Sequence, residues 1–451
     1  MTFAPALTWM HLLPAGVSYS CDATVPGWFR DLLRPAAAPD GRPADVRVAF
    51  GTVGDDALAA GVDGLVAVNC RGLAVDRLRE AGFGYVRQFA ALPNITAARW
   101  FIPLDTPAAA AAAFGIYSPT RLSARLKRSA ARLAARAGLP GWYRDSVCIA
   151  QRQPPPLERQ LAAGLNTGDD LRLALSAGAP EPARNRKASA ALVRLDGSIV
   201  GFAKLAGSSL ATTLLRREAD VLATLATRPM LDGSVPRLLA AGDADGRYYL
   251  VQSPVAGRAA GAKLADAHWR FLADLQDGPP RPAADTEFVR SLLPRLRQLG
   301  GDGIDLVPVA ERISASLDGC DVRRTIVHGD FAPWNLRIQP GDRLAAFDWE
   351  YGRTDGLPAA DAAHHALQVG YNLHGWTPAE AARALDAQAV NYPGISPRHV
   401  AALQNAYLLD ALTRLAEEGY GPSDTMVAWH RGLLLDRLAV APMPPSTVRA
   451  A

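Results

Sequence analysis

Residues 325–350 read TIVHGDFAPWNLRIQPGDRLAAFDWE. A β-branched run, Thr325–Val327, ends at His328, and "NLRI" and "RLAAFD" flank the turn "QPGD". The stretch therefore reads as a strand, a loop and a hairpin. Asp330, Asn335 and Asp348 stand in it among apolar neighbours, and a buried carboxylate is costly unless it is paired or holds a cation. With Ile338 opposite Arg343, Asn335 falls opposite Ala346, two residues short of Asp348. Diagonal neighbours in a sheet lie roughly 7–8 Å apart, within joint reach of one ion. Asp330 sits on the loop that enters the hairpin. An amide and a carboxylate around one point form a hard oxygen site suited to Mg²⁺, which completes its shell with phosphate and water. Any one of these residues alone would be an ordinary turn former or cap; the combination of His328, Asp330, Asn335 and Asp348 carries the expectation.

"HGDFAPWN" followed by "FDWE" resembles the catalytic signature of the aminoglycoside phosphotransferase/choline kinase-like family. The spacing is also similar to the protein-kinase loop H-R-D-x-x-x-x-N and its metal-binding Asp. The resemblance implies an α+β, bilobal protein-kinase-like fold: an antiparallel-sheet lobe with one helix, then a mostly helical lobe. It implies ATP and Mg²⁺ as cofactors and a small-molecule hydroxyl as acceptor. Asp330 would be the catalytic base, Asn335 and Asp348 would hold the metal, and His328 would brace the loop. "GLPAADAAHH" resembles the downstream element of the same family, which gives Asp361 a structural role.

The upstream text is read for a matching phosphate site. Lysine is rare here, confined to Lys127, Lys187, Lys204 and Lys263 among 48 basic residues, so each lysine invites a reason. Lys204 ends the apolar strand "SIVGFAK". Glu218 lies on the Leu214, Val221, Leu222 and Leu225 face of the helix "SLATTLLRREADVLATLA". A carboxylate on that face calls for a partner, and Lys204 is the expected one. Strands "LRLALSAG", "ASAALVRLDG", "PRLLAAGD" and "RYYLVQSP" complete the lobe, with Gln252 to Val255 resembling the hinge that holds adenine. The phosphate loop departs from the kinase pattern: in "SAGAPEPARNRKASA" only Gly178 remains. Arg184, Arg186 and Lys187 either contact phosphates in place of glycine amides or form a solvated hairpin tip. That departure leaves a second reading, a nucleotide-binding pseudokinase whose first region recruits a partner or membrane. Glu417, Glu418 and Asp424 are either acids for a cationic acceptor or an exposed helix end.

Length and composition frame the rest. A chain of 451 residues is expected to hold more than one core. The division expected is a small α/β domain over 1–165, a nucleotide-binding lobe over 166–258 and a helical lobe over 259–451. In the first region "DVRVAFGTVG", "DGLVAVNC", "YVRQFAALPN" and "ARWFIPL" read as strands and "RGLAVDRLREAGF" as a helix, without a dinucleotide fingerprint. "RQPPPLERQ" reads as a stiff linker. A net charge of +4 does not announce a nucleic-acid binder. Four scattered cysteines give neither a disulfide framework nor a zinc pattern, and a reducing cytoplasm fits them. Between 121 and 136 arginines recur at helical spacing beside Leu122, Leu126 and Leu133. The plain reading is a solvated helix packed by its leucines; the other is docking on a membrane or a protein partner.

Overall fold

In the computed structural model, which describes residues 5–33, 44–54, 58, 62–70, 73, 75–116, 122–139, 142–177, 187–300 and 306–440, the apolar runs of the first half join one sheet. Its strands are β1 (Tyr19–Cys21), β2 (Val46–Phe50), β3 (Gly64–Val68), β4 (Tyr85–Leu92), β5 (Trp100–Pro103), β6 (Asp145–Gln151), β7 (Leu171–Ser176), β8 (Lys187–Arg194), β9 (Ile199–Ala206), β10 (Leu238–Ala244) and β11 (Arg247–Gln252). The order is β1-β2-β3-β6-β4-β5-β7-β8-β9-β11-β10. β1, β2 and β3 run parallel, and every later pairing is antiparallel. By its contacts the chain forms two units, Met1–Leu215 with Leu238–Pro254, and Arg216–Arg237 with Val255–Ala451.

The sheet does not stop where a domain boundary was expected. β5 pairs with β7 across residue 165, with Trp100 opposite Ser176 and Phe101 opposite Leu175. One buried cluster contains Val48, Phe89 and Ile149 from before that position together with Leu173, Leu205 and Val251 from after it. The expected linker is also a different element. Pro156 opens a helix, Pro156–Gly164, in which Leu157 and Leu161 are buried. Proline suits the first helical position because its fixed φ is helical and its missing N–H would have no helical partner there. A proline run that looked like a spacer is thus a helix start seated in the core.

The helix Leu122–Arg136 corrects a second expectation. Its alanines pack: Ala135 is buried and Ala131 half-buried against Ala110, Ala113 and Phe114 of the helix Pro107–Ile116. Leu126 and Leu133 face away, 65% and 68% exposed.

The second unit is mostly helical, with two small sheets. β12 (Arg258–Ala259), β15 (Leu336–Gln339) and β16 (Arg343–Ala346) form one; β13 (Gln276–Pro282), β14 (Asp321–Val327) and β17 (Arg353–Gly356) form the other. The hairpin register is one residue tighter than expected. Ile338 faces Leu344 and Gln339 faces Arg343, so the loop is Pro340-Gly341-Asp342, with φ of 75° at Gly341 and 54° at Asp342. Two consecutive left-handed residues close this three-residue turn. Asn335 thereby comes opposite Phe347, whose N–H donates to the Asn335 carbonyl at 3.1 Å. It lies next to Asp348 in register, rather than two residues away.

Candidate active site

β14 ends in an apolar core and delivers His328, Gly329 and Asp330 in succession. His328 is fully buried, its ring tilted at 43° against Trp349 with centroids 4.4 Å apart. Its Nε2 lies 2.9 Å from the Phe347 carbonyl, and its Nδ1 accepts from the Asp330 N–H at 3.2 Å. Burial holds the imidazole pKa down at about 4, so the ring is neutral and works as a brace between loop and hairpin. Asp361 grips the same turn from below, accepting the N–H groups of His328 and Gly329 at 2.7 and 2.9 Å. Burial pushes its carboxyl up to about 7 against the pull of those two amides. Arg414 holds the turn from the other side, donating to the Gly329 carbonyl at 2.8 Å.

Gly329 is required by geometry. Its φ is +78°, and a Cβ there would sit 2.3 Å from the Tyr351 carbonyl oxygen. The sharp bend throws Asp330 out of the strand. A 3-10 turn, Pro333–Asn335, then brings Asn335 back, so that its Nδ2 donates to the Asp330 carboxylate at 2.8 Å and carbonyl at 2.9 Å.

The other oxygen of Asp330 has a partner that sequence reading missed. His364 Nε2 lies 2.9 Å from Asp330 Oδ1, and His364 Nδ1 lies 2.8 Å from the Tyr407 hydroxyl. With Asp330 ionised, the consistent assignment is Tyr407 O–H donating to Nδ1 and Nε2–H donating to the carboxylate. Burial raises the Asp330 pKa, but the bond from His364 and its charge interaction outweigh it and leave the carboxyl below its ordinary value. "AHHAL" gave a signal only in its position one helical turn beyond Asp361; Tyr407, on the helix Pro397–Glu417, gave none.

Asp348 follows β16 with φ at +73°, a conformation that costs a non-glycine residue energy and is kept where the surroundings enforce it. Carboxylate oxygens of Glu218, Asp348 and Glu350 all lie within 4.8 Å of one another. Glu218 is fully buried and accepts the Trp349 N–H at 3.1 Å. Glu218, the residue expected to partner Lys204, and Glu350, on which the sequence raises no expectation, both stand beside Asp348. Three carboxylates so close favour a hard cation, and the set fits Mg²⁺ by donor chemistry.

Lys204 is buried in β9, opposite Ser189 of β8 and Leu250 of β11. Gln252 ends β11 opposite Phe202; it too is buried, and its Oε1 finds no hydrogen bond among the described residues. Val255 is half-buried just beyond that strand, and Lys187 opens β8, also half-buried. Gly178, Arg184 and Arg186 lie outside the described residues. The acids considered for a cationic acceptor are engaged within the protein. Glu417 pairs with Arg295 at 2.7 Å, Glu418 accepts the Tyr351 hydroxyl at 2.7 Å, and Asp424 caps the N–H of Met426 at 2.9 Å.

Residues 192–402 match the model of the phosphotransferase enzyme family. No curated protein matches the sequence. Among solved structures, the chain is similar to the choline kinase LicA from Streptococcus pneumoniae, at 15% identity over 63% of this chain and 99% of that one, with a TM-score of 0.42. It is similar to aminoglycoside phosphotransferase APH(3'')-Id from Streptomyces rimosus, at 20% identity over 57% and 99%, with a TM-score of 0.36. An ethanolamine kinase of Plasmodium vivax gives 12% identity over 60% and 83%, with a TM-score of 0.43.

Proposed function

We propose, from the match of residues 192–402 to the phosphotransferase enzyme family model, that the chain moves the γ-phosphoryl group of ATP to a hydroxyl of a small molecule such as a sugar, an amino alcohol or an aminoglycoside-like compound. The observation that carries the proposal is the Asp330 carboxylate, held at 2.8 Å by Asn335 and 2.9 Å by His364. A base fixed on both oxygens has little orientation left to lose, and phosphoryl transfer depends on positioning and charge neutralisation more than on covalent chemistry. Asp330 orients the acceptor hydroxyl and takes its proton. His364, backed by Tyr407, keeps the carboxylate ionised and aimed.

Asp348 and Asn335 would hold Mg²⁺, with Glu218 and Glu350 close enough to Asp348 to share it or to orient its ligands. When bound, the ion supplies charge neutralisation to the nucleotide phosphates. Lys204 is the lysine proposed for the nucleotide, and the backbone from Gln252 to Val255 the segment proposed for its base. His328 and Asp361 act on the geometry of the loop alone.

The test is transfer of label from γ-labelled ATP to a panel of amino alcohols, sugars and aminoglycosides. The wild type is expected to label at least one class. Asp330→Asn is expected to lower that rate by about 10²–10⁴-fold, the range of general-base catalysis, while the circular dichroism spectrum stays that of the folded wild type. Full transfer by Asp330→Asn would remove the assignment.

A further inference from the structure

The helix Leu122–Arg136 presents its residues in the reverse of the usual order. A surface helix turns its leucines to the core and its charges to water. Here the packed face is alanine, Ala131 and Ala135 against the helix Pro107–Ile116. Leu126 and Leu133, seven residues apart and so on one face, are 65% and 68% exposed, and Leu139 just past the helix end is 56% exposed. Arg125, Lys127, Arg132 and Arg136 are exposed around them, and the helix "LSARLKRSAARLAAR" holds no acidic residue.

We propose that this face docks the protein peripherally on an anionic phospholipid surface, with Leu126 and Leu133 entering the acyl boundary and the arginines lying among the headgroup phosphates. Two features of the helix choose this occupant. First, its charge is of one sign, so the complementary surface is acidic. Second, its leucines protrude from a convex helix with cations close on their flank. A protein would need an apolar groove rimmed by acids to cover them, whereas an anionic bilayer offers apolar depth and negative charge at one plane. Arginine and lysine stems reach past the leucines and keep their charges at the headgroup level. Among the described residues no helix is long and apolar enough to cross a membrane.

The experiment is co-sedimentation of the full-length protein with vesicles of phosphatidylcholine alone or mixed with phosphatidylglycerol. Binding is expected to the mixed vesicles only and to be released by about 0.5 M salt, where the screening length is only a few ångströms. The double substitution Leu126→Glu, Leu133→Glu is expected to cut the partition by about tenfold or more. Arg132→Glu with Arg136→Glu is expected to weaken it most at low salt. All four positions are exposed, so melting midpoints should stay at the wild-type value, and circular dichroism checks this. Equal binding to both vesicle types, or vesicle binding untouched by the leucine double variant, overturns the proposal. So does a wild type that ignores vesicles but self-associates, or binds an immobilised acidic polypeptide, through the same leucines.

Discussion

At the scale of the residue, Asp330 is distinguished from the other acids by what is bonded to it. Asp348 and Glu350 stand in a group of carboxylates, whereas Asp330 is bonded to an amide and an imidazole. That difference makes the His364 contact testable through pH. A base whose folded pKa is held down works at and above neutral pH and fails as the pH falls through that value. Burial alone would raise the Asp330 pKa, and the bond from His364 is the main influence that holds it down. His364→Ala is therefore expected to move the acid limb of the kcat profile to higher pH, and to lower kcat at neutral pH by about tenfold. Tyr407→Phe should move the limb in the same direction by less. A profile that keeps its limb in His364→Ala would show that the histidine only fills space. The four residues of the signature were legible because their spacing in the chain is their spacing in the loop. His364 was not, because its bond to Asp330 spans 34 positions of sequence and exists only once two helices and a strand have packed.

At the scale of the element, the loop after β14 is a bend held from three directions. Asp361 takes its two N–H groups, Arg414 donates to its carbonyl, and the Tyr351 carbonyl occupies the space where a side chain would stand. Gly329→Ala combines a left-handed φ of 78° with a contact of 2.3 Å against backbone, which cannot move aside like a side chain. A loss of about 2–4 kcal/mol in stability is expected, with transfer falling further than stability does because Asp330 moves with the bend. Urea titration and label transfer on the same preparation separate the two effects. The hairpin shows the limit of reading elements from pattern. Its strands were recognisable, but the register depended on left-handed backbone at Gly341 and Asp342, and a one-residue difference in loop length is invisible to hydrophobic alternation. The helix Leu122–Arg136 shows another limit: periodicity finds a stripe without saying whether it faces inward.

At the scale of the whole chain, strands and helices were largely legible, while the way they divide was not. β5–β7 pairing joins segments 68 or more residues apart, and no local pattern announces it. The join has a measurable result. Removing residues 1–165 would strip Val48, Val66, Phe89, Phe101, Ile149 and Leu161 from a core shared with Leu173, Leu205 and Val251. At about 1.5–3 kcal/mol per buried side chain these six alone contribute roughly 10–20 kcal/mol, comparable with the whole stability of a typical fold. A chain beginning at residue 166 is therefore expected to be insoluble or to lack a cooperative melt, and a soluble, active truncation would contradict the shared core. The same join settles where this sheet can meet another one. Without its first half, β7 would be a six-residue apolar margin, an open template for strand-to-strand aggregation. Among the described residues the margins are β1, only three residues long, and β10, which carries a bulge between Leu238 and Ala240. The helix Pro156–Gly164 lies over that bulge, with Gly164 against Ala240. The first half of the chain thus serves as a permanent edge guard for β7, β8 and β9, keeping this sheet from pairing with its own copies.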